Sequence, residues 1–248
     1  MCLSNDSISS GIQNSKWGFW GTLLWGLLIA ILYTIVQVVV SIIYSQVVLG
    51  GITEEFMRKI EYNGTAVSLA TFSTMIICSL AIFGVIKLKK HSNLKEYLAI
   101  NRVSLSDMRY WIVVVIVLLI AMDTLTYLLG KPIVVEFMTA IYNSTSHHWL
   151  LFLALIVAAP VFEELFFRGF LLSGLSETFL RPVGATIVTS LVWAAIHLQY
   201  DFYVMLLIFF MGIVLATARL KTNSILITII MHAIMNLVST IETIIYVS

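Results

Sequence analysis

The chain has 248 residues, 60% of them hydrophobic and only 11% charged, with a formal net charge of +1 at pH 7. A soluble globular domain carries about 25% charged residues, so this composition excludes an ordinary soluble fold and defines an integral membrane protein. The near-neutral balance, without a basic patch interleaved with aromatics, gives no footprint for nucleic acid.

The first 16 residues are polar, and the apolar stretch after Lys16 runs to about Leu49. A signal-peptide core is only about 7–15 residues long, so this stretch reads as a long first transmembrane helix, with Trp17, Trp20 and Trp25 near one interface. Further runs of spanning length, about 17–25 residues each, predict helices near 18–48, 66–86, 110–129, 149–173, 183–199, 202–219 and 223–246. The expected fold is therefore all-α, a polytopic bundle of about seven to eight transmembrane helices enclosing a buried polar site. The segment 85–110 is the main polar connection and is expected to hold a short surface helix. Cys2 and Cys78 stand in no CxxC or zinc-ligand spacing, which predicts packing roles and no disulfide framework.

Lys and Arg set the orientation. With the N-terminus inside, the inner segments hold Lys16, Lys87, Lys89, Lys90, Lys95, Arg102, Arg109, Arg168, Arg181, Arg219 and Lys221, against Arg58, Lys59 and Lys131 outside. That excess predicts a cytoplasmic N-terminus, with or without Arg168 in the count.

Few ionisable groups remain at membrane depth. They are Asp123, Glu163, Glu164, Arg168, His197 and His232, with Asn236 as a neutral companion. Each charge costs roughly 2.5–3.5 kcal/mol near a helix centre, so each needs a partner or a function. In "VFEELFFRGF" (161–170), helical geometry puts Glu164 and Arg168 on one face, in the order that favours pairing, and turns Glu163 elsewhere. Pro160, one turn earlier, frees a backbone carbonyl. In "WAAIH" (193–197) Trp193 lies one turn from His197, and in "HAIMN" (232–236) His232 and Asn236 share a face. A carboxylate, two imidazoles, a carboxamide and a neutralised guanidinium suit activation of a water or binding of a metal ion.

Polar side chains in membrane helices also act as interhelical glue, and that reading stays open for His232 with Asn236. For Glu163 and Glu164 it is disfavoured, because two carboxylates share one evident cation. Asp123 is read as glue or as interfacial, Glu242 and Asp201 as interfacial, and "EEFMR" (54–58) as a solvated loop.

Taken together, EELFFR (163–168), WAAIH (193–197) and HAIMN (232–236), in this order on successive helices, resemble the CPBP family of intramembrane proteases. That family includes type II CAAX prenyl endopeptidases and bacterial "Abi" proteins linked to peptide processing or bacteriocin immunity. The resemblance covers about residues 149–246; residues 1–148 carry no matching motif. It departs at Trp193, where Phe is commoner. It implies that Glu163, helped by His197, polarises a water, that His232 and Asn236 contact the oxyanion, and that Glu164, Arg168 and Trp193 support them. It leaves two chemistries open: zinc held by Glu163, His197 and His232, or a metal-free glutamate mechanism. It also implies a bacterial plasma membrane, with membrane lipid and a peptide or membrane-protein substrate as partners. The alternatives are a catalytically silent scaffold or immunity-type regulator of the same family, and a small transporter.

Depth strains the shared site. At about 1.5 Å per residue, these spans put Glu163 roughly 8 Å from the inner boundary and His197 roughly 8 Å from the outer one. Bringing them together requires a deeper start to the 183–199 helix, an interfacial 170–182 segment, or strong tilting.

Overall fold

The computed structural model describes residues 15–48, 50–51 and 60–248; Cys2, Arg58, Lys59 and the EEFMR segment (54–58) lie outside the described residues. Among the described residues there is no strand. The helices are α1 (Phe19–Val48), α2 (Gly64–Leu88), α3 (Leu94–Tyr97), α4 (Leu105–Leu128), α5 (Glu136–Asn143), α6 (His148–Ser176), α7 (Arg181–Ala195), α8 (Phe202–Thr222) and α9 (Ile225–Val247). Helices pair their backbone amides and carbonyls internally, which a hydrocarbon environment demands. Six of them, α1, α2, α4, α6, α8 and α9, are long and apolar enough to cross a membrane. The chain is an all-α polytopic membrane protein, as its composition predicts.

The fifth of the seven expected spans, 183–199, is shorter than anticipated. It is the 15-residue α7, about 22 Å long, against a hydrocarbon core of about 30 Å. The short surface helix expected within 85–110 is α3.

Polar caps fix where the helices start. Side chains of Asn63, Asn93, Ser104, Asp201 and Ser224 accept hydrogen bonds from first-turn amides of α2, α3, α4, α8 and α9, which would otherwise be unpaired. Asn223 closes α8 in the left-handed region at φ +47°, a conformation Asn tolerates. The Asp201 carboxyl is held below its usual range first by the Val204 amide and then by Lys131. Replacing Asp201 with Ala is expected to cost about 1 kcal/mol through the lost cap, read as a lower melting temperature in detergent. The exposed Lys131 pair adds little.

Contacts between segments define two ends of the bundle. At one end Lys16 pairs with Glu177 at 2.7 Å and the Trp17 indole donates to the Val85 carbonyl at 3.2 Å. There also the Ile225 amide donates to the Ala99 carbonyl, and the Asn101 side chain donates to the Asn223 carbonyl. At the other end the Gly64 amide donates to Ser144 Oγ at 2.9 Å, and Lys131 faces Asp201 at 3.5 Å.

Between these ends α6 is the most buried of the six long helices and α1 the least. Phe162, Phe166, Phe167 and Phe170 of α6 are all in the core. Around α6 pack α1, α2, α7 and α9. The helix that carries EELFFR is thus the axis of the fold.

Candidate active site

α6 is not a uniform α-helix. Two π-helical segments, Ala154–Ala158 and Leu165–Leu171, flank Pro160 and the two glutamates. The first has a local cause. The Ala159 amide bonds to the Ala154 carbonyl, and Pro160 has no amide to offer. The Leu155 carbonyl is therefore left without either of its helical donors. Asn236 of α9 fills the gap, its Nδ2 donating to Leu155 O at 2.7 Å. In the π register the carbonyl left free is Leu155 O, not the Ile156 O that an α-helix would free, and Asn236 caps it, which fastens α9 to α6 about two turns from the glutamates. Asn236→Ala is expected to cost about 1–3 kcal/mol by orphaning that carbonyl. Asn236→Asp, which has no donor to offer it, should be at least as harmful in the same melting experiment.

The two glutamates divide as helical geometry requires. Glu164 is fully buried, and its Oε1 accepts from Arg168 Nη1 at 2.9 Å. The same oxygen lies 3.0 Å from His232 Nδ1. Since a carboxylate can only accept, His232 holds a proton on Nδ1. Arg168 is 1% exposed; its guanidinium lies 4.2 Å from the Trp193 ring centroid, and Nη2 reaches the Gly212 carbonyl at 3.4 Å. Three elements thus neutralise one buried guanidinium, which would otherwise be very costly at this depth.

Glu163 points elsewhere and is only partly buried. Its Oε2 accepts from the Trp193 indole nitrogen at 2.6 Å. Trp193 also meets both imidazoles edge to face, His197 at 5.5 Å and His232 at 5.3 Å between centroids. His197 Nδ1 lies 2.7 Å from the Trp193 carbonyl oxygen. A carbonyl cannot donate, so Nδ1 carries the hydrogen, and it is Nε2 that carries the lone pair in the neutral form of His197. Like Glu163, His197 is half-buried; its ring stacks on Tyr200 at 6.1 Å.

The depth conflict dissolves in these boundaries. α6 runs on to Ser176 and α7 begins at Arg181. Glu163 lies roughly 20 Å along α6 from Ser176, and Trp193 roughly 18 Å along α7 from Arg181, at about 1.5 Å per residue. Two helices joined by a short loop therefore bring these residues level. His197 was expected inside the α7 helix; it sits instead in the turn after Ala195, its ring folded back against Trp193.

The zinc set suggested by the sequence does not assemble. Among the described residues no group of three or more His, Cys, Asp or Glu side chains is placed to hold a metal ion. His232 Nδ1 is turned to Glu164 and His197 Nδ1 to the Trp193 carbonyl, while Glu163 Oε2 accepts from the indole. A tetrahedral zinc site needs donors converging within about 2.0–2.3 Å of one point.

Several contributors were not legible in the motifs. Gly212 of α8 lets backbone approach the site: a Cβ there would meet Ser190 Cβ at 2.9 Å and Trp193 Cε3 at 3.1 Å. An isolated glycine inside an apolar helix was its signal. Tyr33 of α1, a helix without a motif, stacks on Phe162 at 5.6 Å. Asp123, expected as glue or as interfacial, interacts with Glu242 of α9.

An all-α membrane protein with a carboxylate–imidazole–carboxamide cluster inside its bundle is the class this geometry defines. Residues 145–238 match the family model described as "Type II CAAX prenyl endopeptidase Rce1-like". Over this segment the chain is similar to that family. An Escherichia coli protein described as "Uncharacterized 24.3 kDa protein" is 28% identical over 113 residues, covering 43% of this chain and 52% of that protein. The chain thus spans about half the length of that relative. No solved structure matches the chain significantly.

Proposed function

We propose that the protein is an intramembrane endopeptidase that hydrolyses peptide bonds of membrane-associated peptides or proteins with a water activated by Glu163 and His197. One observation carries this reading: of two adjacent glutamates, one is sealed against Arg168 and His232, while the other stays partly accessible and bonds to Trp193, whose ring also meets the half-buried His197. A purely structural role would use Glu164 and leave Glu163 without a purpose.

In the proposed reaction Glu163 accepts a proton from water through the carboxylate oxygen not held by Trp193. His197 orients that water through its Nε2 lone pair. The resulting hydroxide forms a bond to the peptide carbonyl carbon, and the carbonyl electron pair moves onto oxygen. His232, its Nδ1–H anchored on Glu164, contacts that oxyanion when Nε2 also carries a hydrogen. Asn236 has a second amide hydrogen beyond the one given to Leu155 O. Preorganised donors in a water-poor site are worth far more than in water. Collapse breaks the C–N bond, and protonated Glu163 returns its proton to the leaving amine. Atoms balance as one water consumed and one acid and one amine released.

The end of the bundle that holds Lys16, Lys87, Lys89, Lys90 and Lys221 faces the cytoplasm in this reading, in a bacterial plasma membrane. The test is a peptidomic comparison of membranes carrying wild type or Glu163→Ala at matched protein levels, each with and without a strong zinc chelator. Prenylated and unprenylated reporter peptides are supplied alongside. Products that vanish with the variant and survive the chelator support glutamate chemistry, and loss of products with chelator overturns it. Identical peptides from both proteins overturn the protease reading in favour of a scaffold.

A further inference from the structure

Trp193 brings an indole N–H to this site. The structure uses that N–H. It makes a 2.6 Å hydrogen bond to Glu163 Oε2, short for an N–H donor, as charge-assisted bonds are. The same indole presents its face to Arg168 at 4.2 Å and its edges to His197 and His232. It is 3% exposed, wedged against the Cβ-less Gly212, so it has little freedom to turn.

We propose that Trp193 is a positioning residue: its indole N–H holds Oε2 of Glu163 and so dedicates the other oxygen, Oε1, to the substrate water. A carboxylate on a flexible glutamate side chain can present either oxygen, and rotation between them blurs the direction of proton transfer. Capping one oxygen removes that ambiguity. The cation–π contact fixes the indole in turn, because Arg168 is pinned by Glu164. The sealed glutamate therefore acts on the accessible one through two aromatic contacts, with no direct bond between the two carboxylates. The catalytic consequence rests on the protease reading above; the hydrogen bond and the order it imposes do not.

The experiment has two arms. In the first, the 15N–1H spectrum of the six indoles is recorded in detergent for wild type, Trp193→Phe and Glu163→Gln. Trp193→Phe identifies the Trp193 signal by its loss. A short bond to a carboxylate places that signal downfield, and Glu163→Gln is expected to move it strongly upfield while the other five indoles stay in place. An unmoved signal overturns the proposal, whether or not the protein cleaves anything. In the second arm, cleavage kinetics are compared. Trp193→Phe keeps the ring and the Arg168 contact, so kcat is expected to fall roughly 10- to 100-fold, the scale of one hydrogen bond to a charged group, with KM within about twofold. A variant with wild-type kcat, or one that loses KM instead, overturns a positioning role. Trp193→Ala, which also removes packing, should lower the melting temperature where Trp193→Phe does not; equal destabilisation by both would mark the residue as structural only. If wild type itself cleaves no peptide, the protease reading fails and the first arm still decides the contact.

Discussion

Glu163→Gln is expected to lower cleavage by roughly 10²–10⁴-fold, the usual contribution of a positioned general base, while leaving the melting temperature close to that of wild type. Glutamine keeps the shape of the side chain and its acceptor for the Trp193 N–H, but it cannot take a proton from water. The structural cost is small because Glu163 is only partly buried and its neighbour carries the ion pair. The same substitution one residue on, Glu164→Gln, should do the reverse in stability. It leaves Arg168 and the Nδ1–H of His232 without their shared acceptor, and folded yield should fall before any rate can be measured. The measurement is single-turnover cleavage together with thermal unfolding, on detergent-purified proteins. Retained turnover in Glu163→Gln would remove Glu163 from the role of base.

The second large effect concerns the buried pair. Arg168→Leu is expected to destabilise the protein by about 3–5 kcal/mol, the cost of leaving a buried charge without its partner. Glu164 is fully buried and Arg168 is 1% exposed, so neither can recruit water to replace the other. The double variant Glu164→Leu with Arg168→Met should recover most of that loss, since apolar residues of similar volume often replace a buried pair at no net cost. Near-additive losses in the double variant would mean that the two charges are not coupled. The double variant should still be inactive, because His232 loses its Nδ1 partner and Trp193 its cation. Its stability and activity would then separate, which a purely structural site would not do.

Much of this arrangement follows from helical periodicity alone. Glu164 and Arg168 had to share a face, and Glu163 had to leave it, because successive residues turn about 100°. Pro160 had to free a carbonyl, because it has no N–H. The all-α membrane class followed from a composition too apolar for water. Other features depend on neighbours that are remote in the chain. Nothing local says that Asn236 finds Leu155 O, that Gly212 yields its Cβ space to Trp193, or that Tyr33 of a motif-free helix stacks on Phe162. Those pairings depend on how helices separated by tens of residues are set side by side.

The polar residues themselves, their helix faces and their order along the chain were determined by the sequence, because spacing on a helix and the cost of charge in lipid act locally. Which glutamate meets which histidine was decided only by the tertiary structure. His232 turned to Glu164, and Glu163 and His197 each met Trp193. The short α7 and the π-helical segments of α6 set the depth and rotation of those side chains. Depth and rotation are properties of packed helices, which no single stretch of chain carries.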